Sequence, residues 1–500
     1  MIKIIDTTLR DGEQTSGVSF AIKEKLSIAR LLLEDLSVDR IEVASARVSD
    51  GEFGSVKEIA KWAKSKKMLD RVEVLGFVDG LTSLNWIKDA GCQVINLLCK
   101  GSLKHCKYQL KKTVEQHIAD IKEVVSNAEK MGITVNVYLE DWSNGIQESP
   151  EYVFQLMDGL KDLKIKHFML PDTLGILNPE QTERYCREMI EKYPNLLFDF
   201  HAHNDYDLAV ANVFSAVKAG IQGIHVTING LGERAGNAPL SSVLAVLHDQ
   251  LKLKTNVKEK EINHVSKLVE TYSGIRIPTN KPVVGDNVFT QVAGVHADGD
   301  AKKNLYFNEL LPERFGRVRE YALGKTSGKA NIRKNLEALG IQLDDKSMQK
   351  VTKRIIELGD KKQVVTPHDL PYIVSDVLKD ENVEEHVKVL NYSLSLAQGL
   401  KPVANILVEI EGVKYQETSS GDGQYDAFMK ALWKIYDKLG KPHPILVDYV
   451  VSIPPGGRTD ALVQTMITWN LNGHLLKTHG LDGDQTEAAI KATIKMLNRI

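Results

Sequence analysis

Short apolar runs rich in β-branched residues alternate with longer stretches of helical periodicity over roughly the first 230 residues. The runs at 2–6, 40–45, 72–78, 94–99, 135–140, 167–172, 197–204 and 223–230 predict eight strands. They are almost continuously apolar, the pattern of strands buried on both faces of a parallel sheet. Stretches such as 23–36, 113–130 and 178–193 predict helices between them. Eight β/α units in about 250 residues predict an α/β chain that opens with a (β/α)8 TIM barrel over residues 1–270. An open doubly wound sheet also alternates. Chemically suggestive residues at the ends of strands 1, 5, 6, 7 and 8 suit a closed ring better.

From about residue 255 the alternation stops. Helical patterns at 328–339 and 346–358, with a loop-rich stretch at 275–321, predict a linker and helical subdomains over 271–390. The final segment, 391–500, carries an internal pseudo-repeat. Residues 403–439 read as strand, Glu411-Gly412 turn, strand, Gly421-Asp422-Gly423 and helix. Residues 465–497 repeat this with an Asn472-Gly473 turn and Gly480-Leu481-Asp482-Gly483. Two ββα units of this size bury a face only against each other, which predicts one small α/β domain. Asp422, Asp482 and Asp484 do not have the spacing of a calcium loop and read as turn and helix-cap residues.

The candidate chemistry lies where the strands end. Strand 1 runs into Asp6-Thr7-Thr8-Leu9-Arg10-Asp11-Gly12-Glu13-Gln14, which sets a cation and a carboxylate at the ligand-binding end of a barrel strand. Strand 7 carries His201 and His203, which point the same way along a strand. Two imidazoles with Asp11 make a transition-metal set. Strand 8 leads into the glycine-rich run Asn229–Asn237, which is not a dinucleotide fingerprint and aims Asn237 at the metal. Strands 5 and 6 end in Tyr138-Leu139-Glu140-Asp141 and Asp172-Thr173, while strands 3 and 4 supply Leu75 and Leu98. Farther on, His296 sits among small residues outside any predicted element, a candidate acid–base group, with Asn304-Leu305-Tyr306 after it.

Composition narrows this little. The 500 residues are 43% hydrophobic and 26% charged with a net charge of −2, an ordinary globular balance. No long basic run points to nucleic acid or a membrane surface, and no apolar stretch reaches spanning length. The four cysteines are read as reduced thiols, two of them buried, in a cytoplasmic protein.

The motifs Asp6–Gln14 and His201–Asp205 together resemble the metal-dependent TIM-barrel acyltransferases and lyases, and within them the isopropylmalate, homocitrate and citramalate synthases. The resemblance spans essentially the whole chain. It implies a divalent metal (zinc, manganese, cobalt or magnesium) on Asp11, His201, His203 and Asn237, with acetyl-CoA as co-substrate of a 2-oxo acid. It further implies Arg10 at the ketone, Thr173 on the substrate carboxylate, and Glu140 or His296 as base. Tyr306 joins His296 from a helical subdomain covering the barrel mouth, commonly the partner subunit's in a homodimer. Leu75, Leu98 and Tyr138 match the bulky set of the citramalate synthases, so pyruvate is the expected 2-oxo acid and 2-oxoisovalerate the runner-up. Arg47 keeps 2-oxoglutarate as a minor alternative. The C-terminal domain resembles an amino-acid sensor, with isoleucine the expected effector. A superfamily lyase and a non-catalytic metal-binding sensor are the rival readings.

Overall fold

The computed structural model describes the chain apart from residues 303–304, 325, 361–364, 366, 368–369, 371–372, 375–385, 453–462, 483 and 499–500. Asn304 and Gly483 of the sequence motifs therefore lie outside the described residues. The chain divides into two compact units, 1–290 with 304–320 and 291–303 with 321–500.

The first unit is built on eight parallel strands in sequential order that close into a barrel. They are β1 (Lys3–Asp6), β2 (Arg40–Ser45), β3 (Val72–Phe77), β4 (Val94–Lys100), β5 (Thr134–Glu140), β6 (Ile165–Asp172), β7 (Phe198–Ala202) and β8 (Gly223–Val226). Closure comes from β1 pairing with β8, Ile5 opposite His225. The strands are short and buried on both faces, so apolar side chains such as Ile41, Val74, Val137, Phe200 and Ile224 pack outward under the helices in one continuous core. Helix starts follow local chemistry. Thr113 and Asn178 each close a capping box, with Gln116 and Gln181 returning the bond to the cap nitrogen.

Two elements of the barrel unit differ from the sequence pattern. Strand 8 stops at Val226 rather than running to Gly230, because Ile228–Gly230 turns into a short 3₁₀ segment with Asn229 in the left-handed region. The helix expected at 23–36 is α-helical over Ile22–Arg30 and then a π-type turn over Leu31–Asp35.

The barrel interior is polar where most barrels stack aliphatic layers. Glu42, Glu73, Asn96, Asn136, Arg40 and Asp199 are all buried inside it. Asn96 Nδ2 donates to Glu42 Oε1 (2.7 Å) and Glu73 Oε2 (3.0 Å), and Asn136 Nδ2 to Asn96 Oδ1 (2.8 Å). Arg40 donates to Glu73 Oε1 at 2.8 Å and to Asp199. Burial disfavours the charge on Asp199, but Arg40 outweighs it and holds the carboxyl well below the usual range.

In the second unit, the helices Lys329–Ala338 and Asp345–Asp360 share an apolar cluster that includes Ile332, Leu336, Val351 and Ile355. The C-terminal part holds two three-stranded antiparallel sheets. Each ββα half of the pseudo-repeat is preceded by a strand that the sequence pattern does not reveal, Val387–Ser395 and Ile445–Ser452, so the repeat is βββα. Ile406, Phe428, Ile467, Trp469 and Met496, drawn from both halves, share one core. Asp484 caps its helix through Thr486 and Glu487. All four cysteines are buried and free, two more than expected. No helix among the described residues is long and apolar enough to cross a membrane.

Asp199→Ala leaves the buried Arg40 with one carboxylate partner, and urea unfolding should show a loss of ~3–5 kcal/mol. A loss below ~1 kcal/mol would mean that Glu73 alone compensates the guanidinium.

Candidate active site

The turn after β1 is held from three sides. The amides of Arg10, Asp11 and Gly12 all donate to Thr7 O (2.9–3.1 Å), and Thr8 Oγ1 accepts from Ile228 N at 2.8 Å. Lys25, fully buried, donates to Leu9 O at 3.1 Å and pairs with Glu13 and Glu52 at 2.6 Å each. Asp6 lies just before this turn with Oδ1 on Thr8 N, and burial raises its carboxyl to about 7.

From this turn Arg10 and Asp11 face into the barrel mouth. Arg10 Nε donates to Glu42 Oε2 at 2.5 Å, and a terminal nitrogen lies 3.3 Å from Asp11 Oδ2. Its other terminal nitrogen is 3.5 Å from the Tyr138 hydroxyl. Burial works against the guanidinium charge, but Glu42 and then Asp11 outweigh it and lock the cation in place.

Asp11 Oδ2 is 3.2 Å from His201 Nε2 and 3.8 Å from His203 Nε2, and the two Nε2 atoms are 3.2 Å apart. His201 is the penultimate residue of β7. His203 lies just past the strand in a single bridge to Asn237, yet both rings converge. Asp11, His201 and His203 are the one metal-type cluster of three found among the described residues. Burial, reinforced by His201, lowers the His203 imidazole to about 4, so its nitrogen is free of a proton at neutral pH. Burial pushes Asp11 toward its acid form, but Arg10 and then the two histidines overcome it and hold the carboxylate charged.

Asn237 is held beside His203 by that bridge. Its Nδ2 donates to Leu231 O (3.0 Å), while Oδ1 is buried with no hydrogen-bond partner. That orientation depends on the glycine loop. Gly236 sits at φ +84°, and a Cβ there would meet Gly230 O at 2.0 Å. Two imidazole nitrogens, one charged carboxylate and one orphaned amide oxygen fit a divalent cation well.

Below the site, the Tyr138 hydroxyl lies 2.7 Å from His225 Nδ1, and its ring stands edge-on to His201 and His225. Burial, then the nearby His201, holds the His225 ring neutral. Tyr138 packs with Leu75, Met169 and Leu98 in a small apolar cluster of its own. Thr173 Oγ1 accepts from Asp141 N at 2.9 Å. Glu140 is ion-paired with the buried Lys100, its register partner across β4 and β5.

The structure thus brings Asp11, His201 and His203 together, with Arg10 against Asp11 and Asn237 bridged to His203, and sets Tyr138, which clusters with Leu75 and Leu98, against His201. His296 was expected outside regular structure; it lies instead in the short helix Gly294–Ala301 of the second unit, with Nδ1 3.2 Å from Gln291 Oε1. Tyr306 belongs to the first unit and is 43% exposed. Arg47 is exposed and pairs with Asp79. The sequence pattern assigns no role to Glu42, Lys100, Met169 or His225. A glutamate inside an apolar strand was the available signal for Glu42. Lys100 had no local signal, since its place beside Glu140 comes from the β4–β5 register.

Comparison with known proteins agrees with this geometry. Residues 1–269 match the HMGL-like family, 283–363 the homocitrate synthase post-HMGL domain-like family, and 364–500 the LeuA allosteric (dimerisation) domain. The chain is 32% identical to the (R)-citramalate synthase CimA of Methanocaldococcus jannaschii, over 100% of this chain and 99% of that one. The chain belongs to the isopropylmalate and citramalate synthase family. It is also 34% identical to the 2-isopropylmalate synthase of Pyrococcus furiosus, over 100% of this chain and 99% of the relative. A 2-isopropylmalate synthase of M. jannaschii is 33% identical over 100% and 94%. As a member of this family the synthase is an acyltransferase that condenses acetyl-CoA with a 2-oxo acid and uses a divalent metal.

His203→Ala in the synthase removes one imidazole and should weaken Co(II) binding by ~100-fold or more, read by calorimetry on metal-stripped protein. Affinity within about threefold of the parent would exclude His203 as a ligand.

Proposed function

We propose that the synthase condenses acetyl-CoA with pyruvate to give (R)-citramalate and CoA. Relatives of both names match the chain at 32–34% identity, so the choice rests on the pocket. The observation that carries it is the cluster of Leu75, Leu98, Tyr138 and Met169 beside the metal set. Tyr138, with its ring edge-on to His201 and its hydroxyl held by His225, is fixed and bulky. Such a wall leaves room for a methyl group and crowds an isopropyl group. Discrimination of this kind is worth ~1–3 kcal/mol, so slower turnover of 2-oxobutyrate is expected.

The residue roles follow from what each side chain touches. A divalent cation on Asp11, His201, His203 and Asn237 supplies Lewis acidity at the ketone. Arg10, dry and permanently charged, is preorganised for the negative charge that develops on the ketone oxygen. Thr173 accepts from Asp141 N and so keeps its own proton to donate to the substrate carboxylate. Glu140, oriented by Lys100, or His296 takes the proton from the acetyl methyl, directly or through water, a contribution of ~10²–10⁴-fold. Tyr306 keeps a catalytic role in this reading. Attack of the resulting carbon nucleophile on the ketone forms the new C–C bond, and thioester hydrolysis releases CoA.

The LeuA-type domain supports a homodimer with an amino-acid effector, and a pyruvate-using enzyme points to isoleucine. The reading as 2-isopropylmalate synthase with 2-oxoisovalerate is the second choice, favoured only by the relatives of that name.

Thiol release from acetyl-CoA should be fastest with pyruvate among pyruvate, 2-oxobutyrate, 2-oxoisovalerate and 2-oxoglutarate. It should stop with chelator, fall with isoleucine, and come from a species of dimer mass by light scattering. Preference for 2-oxoisovalerate would move the assignment to the second choice; indifference to isoleucine would remove the effector assignment.

A further inference from the structure

The loop between β4 and the helix Val114–Met131 is strongly basic. Residues 100–112 contain five lysines, one histidine and no acidic residue, in a protein of net charge −2. The loop leaves the ligand-binding end of β4 and is fastened beside Glu140. Gly101 N donates to Glu140 O (2.6 Å), Ser102 Oγ to Asp141 Oδ2 (2.7 Å), and the Tyr152 hydroxyl to Lys100 O (2.8 Å). No side chain fits at either root glycine: a Cβ on Gly101 would meet Leu139 O at 2.4 Å, and one on Gly145 would meet Gly101 O at 2.0 Å.

Past this root the chain makes an irregular π-type helical turn, His105–Leu110, and leaves it through Lys111 at φ +56°, a left-handed conformation unfavourable for lysine. Two of the five lysines have assigned partners, Lys100 with Glu140 and Lys112 with Asp120. Lys104, Lys107 and Lys111 are exposed and have no carboxylate partner among the described residues. Beside them Tyr108 is 71% exposed, with Lys107 Nζ 5.5 Å from its ring centre.

Three exposed lysines without a carboxylate partner, all within four residues of an exposed tyrosine, suit a ligand with several phosphates and a planar base. Coenzyme A has that chemistry at the end remote from its thioester: an adenine, a diphosphate and a 3′-phosphate. We infer that the β4 loop binds the 3′-phospho-ADP half of acetyl-CoA, with Lys104, Lys107 and Lys111 on the phosphates and Tyr108 stacked on the adenine. The root of the loop is bonded to the backbone of Glu140, one of the two proposed bases. The inference rests on acetyl-CoA being the acyl donor. It adds that affinity for the donor comes largely from groups outside the catalytic set.

The test compares acetyl-CoA with S-acetylpantetheine, which carries the same thioester without the nucleotide. In a Lys104→Gln/Lys107→Gln/Lys111→Gln variant, KM for acetyl-CoA should rise by ~10-fold or more, because three phosphate-facing charges are lost. KM for S-acetylpantetheine, KM for the 2-oxo acid and kcat should stay within about twofold. The parent's KM for acetyl-CoA should also climb with added salt more steeply than the variant's. An unchanged KM for acetyl-CoA, or an equal rise for both thioesters, would overturn the inference while leaving the proposed reaction intact. A parent enzyme that uses neither thioester would instead refute the reaction and the inference with it.

Discussion

A permanently charged guanidinium in a dry barrel mouth has to be neutralised from beneath, and Glu42 does this for Arg10. The pair cannot stand alone, since two unsupported charges in a low-dielectric interior cost more than their attraction returns. The barrel therefore carries polar side chains through its interior. Glu42 leads through Asn96 to Glu73, Glu73 to Arg40, and Arg40 to Asp199. On the other side, Tyr138 is bonded to His225 and lies beside Arg10. Each member fixes the next, so Arg10 is held with little freedom before any substrate arrives. A preorganised cation of this kind has no reorganisation to undergo as charge builds on a substrate oxygen.

The same arrangement connects the metal set to the pocket. Asp11 is one residue from Arg10 and owes its charged state chiefly to it, and His201 is edge-on to Tyr138. The side chain proposed to bound the substrate is thus in contact with a member of the metal-type cluster. On the proposed roles, size selection and metal binding are coupled through this contact. Exchanging Tyr138 for a smaller residue changes the surroundings of His201 as well as the volume of the pocket.

Much of this was legible in the sequence because barrel strands declare themselves. Their continuous apolar runs located all eight strands to within a few residues, and strand order then placed Arg10, Asp11 and His201 at one end. What stayed hidden depends on register and depth. Lys100 beside Glu140 follows from a pairing across β4 and β5 that no local pattern encodes. His225 reads as an ordinary residue of a four-residue strand and gains its role only by closure of β8 on β1. The strands Val387–Ser395 and Ile445–Ser452 are hard to read from the sequence because a bulge interrupts each, between Val389 and Asn391 and between Leu446 and Asp448, and breaks the two-residue alternation. His296 was misplaced in a loop because Gly294 and Gly299 read as helix breakers, although the segment folds into a short helix.

On the proposed mechanism, Glu42 holds Arg10 for the ketone and does not serve the metal. Glu42→Gln preserves shape and one acceptor while removing the charge, so steady-state kinetics on the metal-replete variant, paired with Co(II) titration, test it directly. The expected result is a fall in kcat/KM for the 2-oxo acid of ~100-fold, with metal affinity within about threefold of the parent. Activity close to the parent's, or loss of metal binding in step with activity, would contradict it.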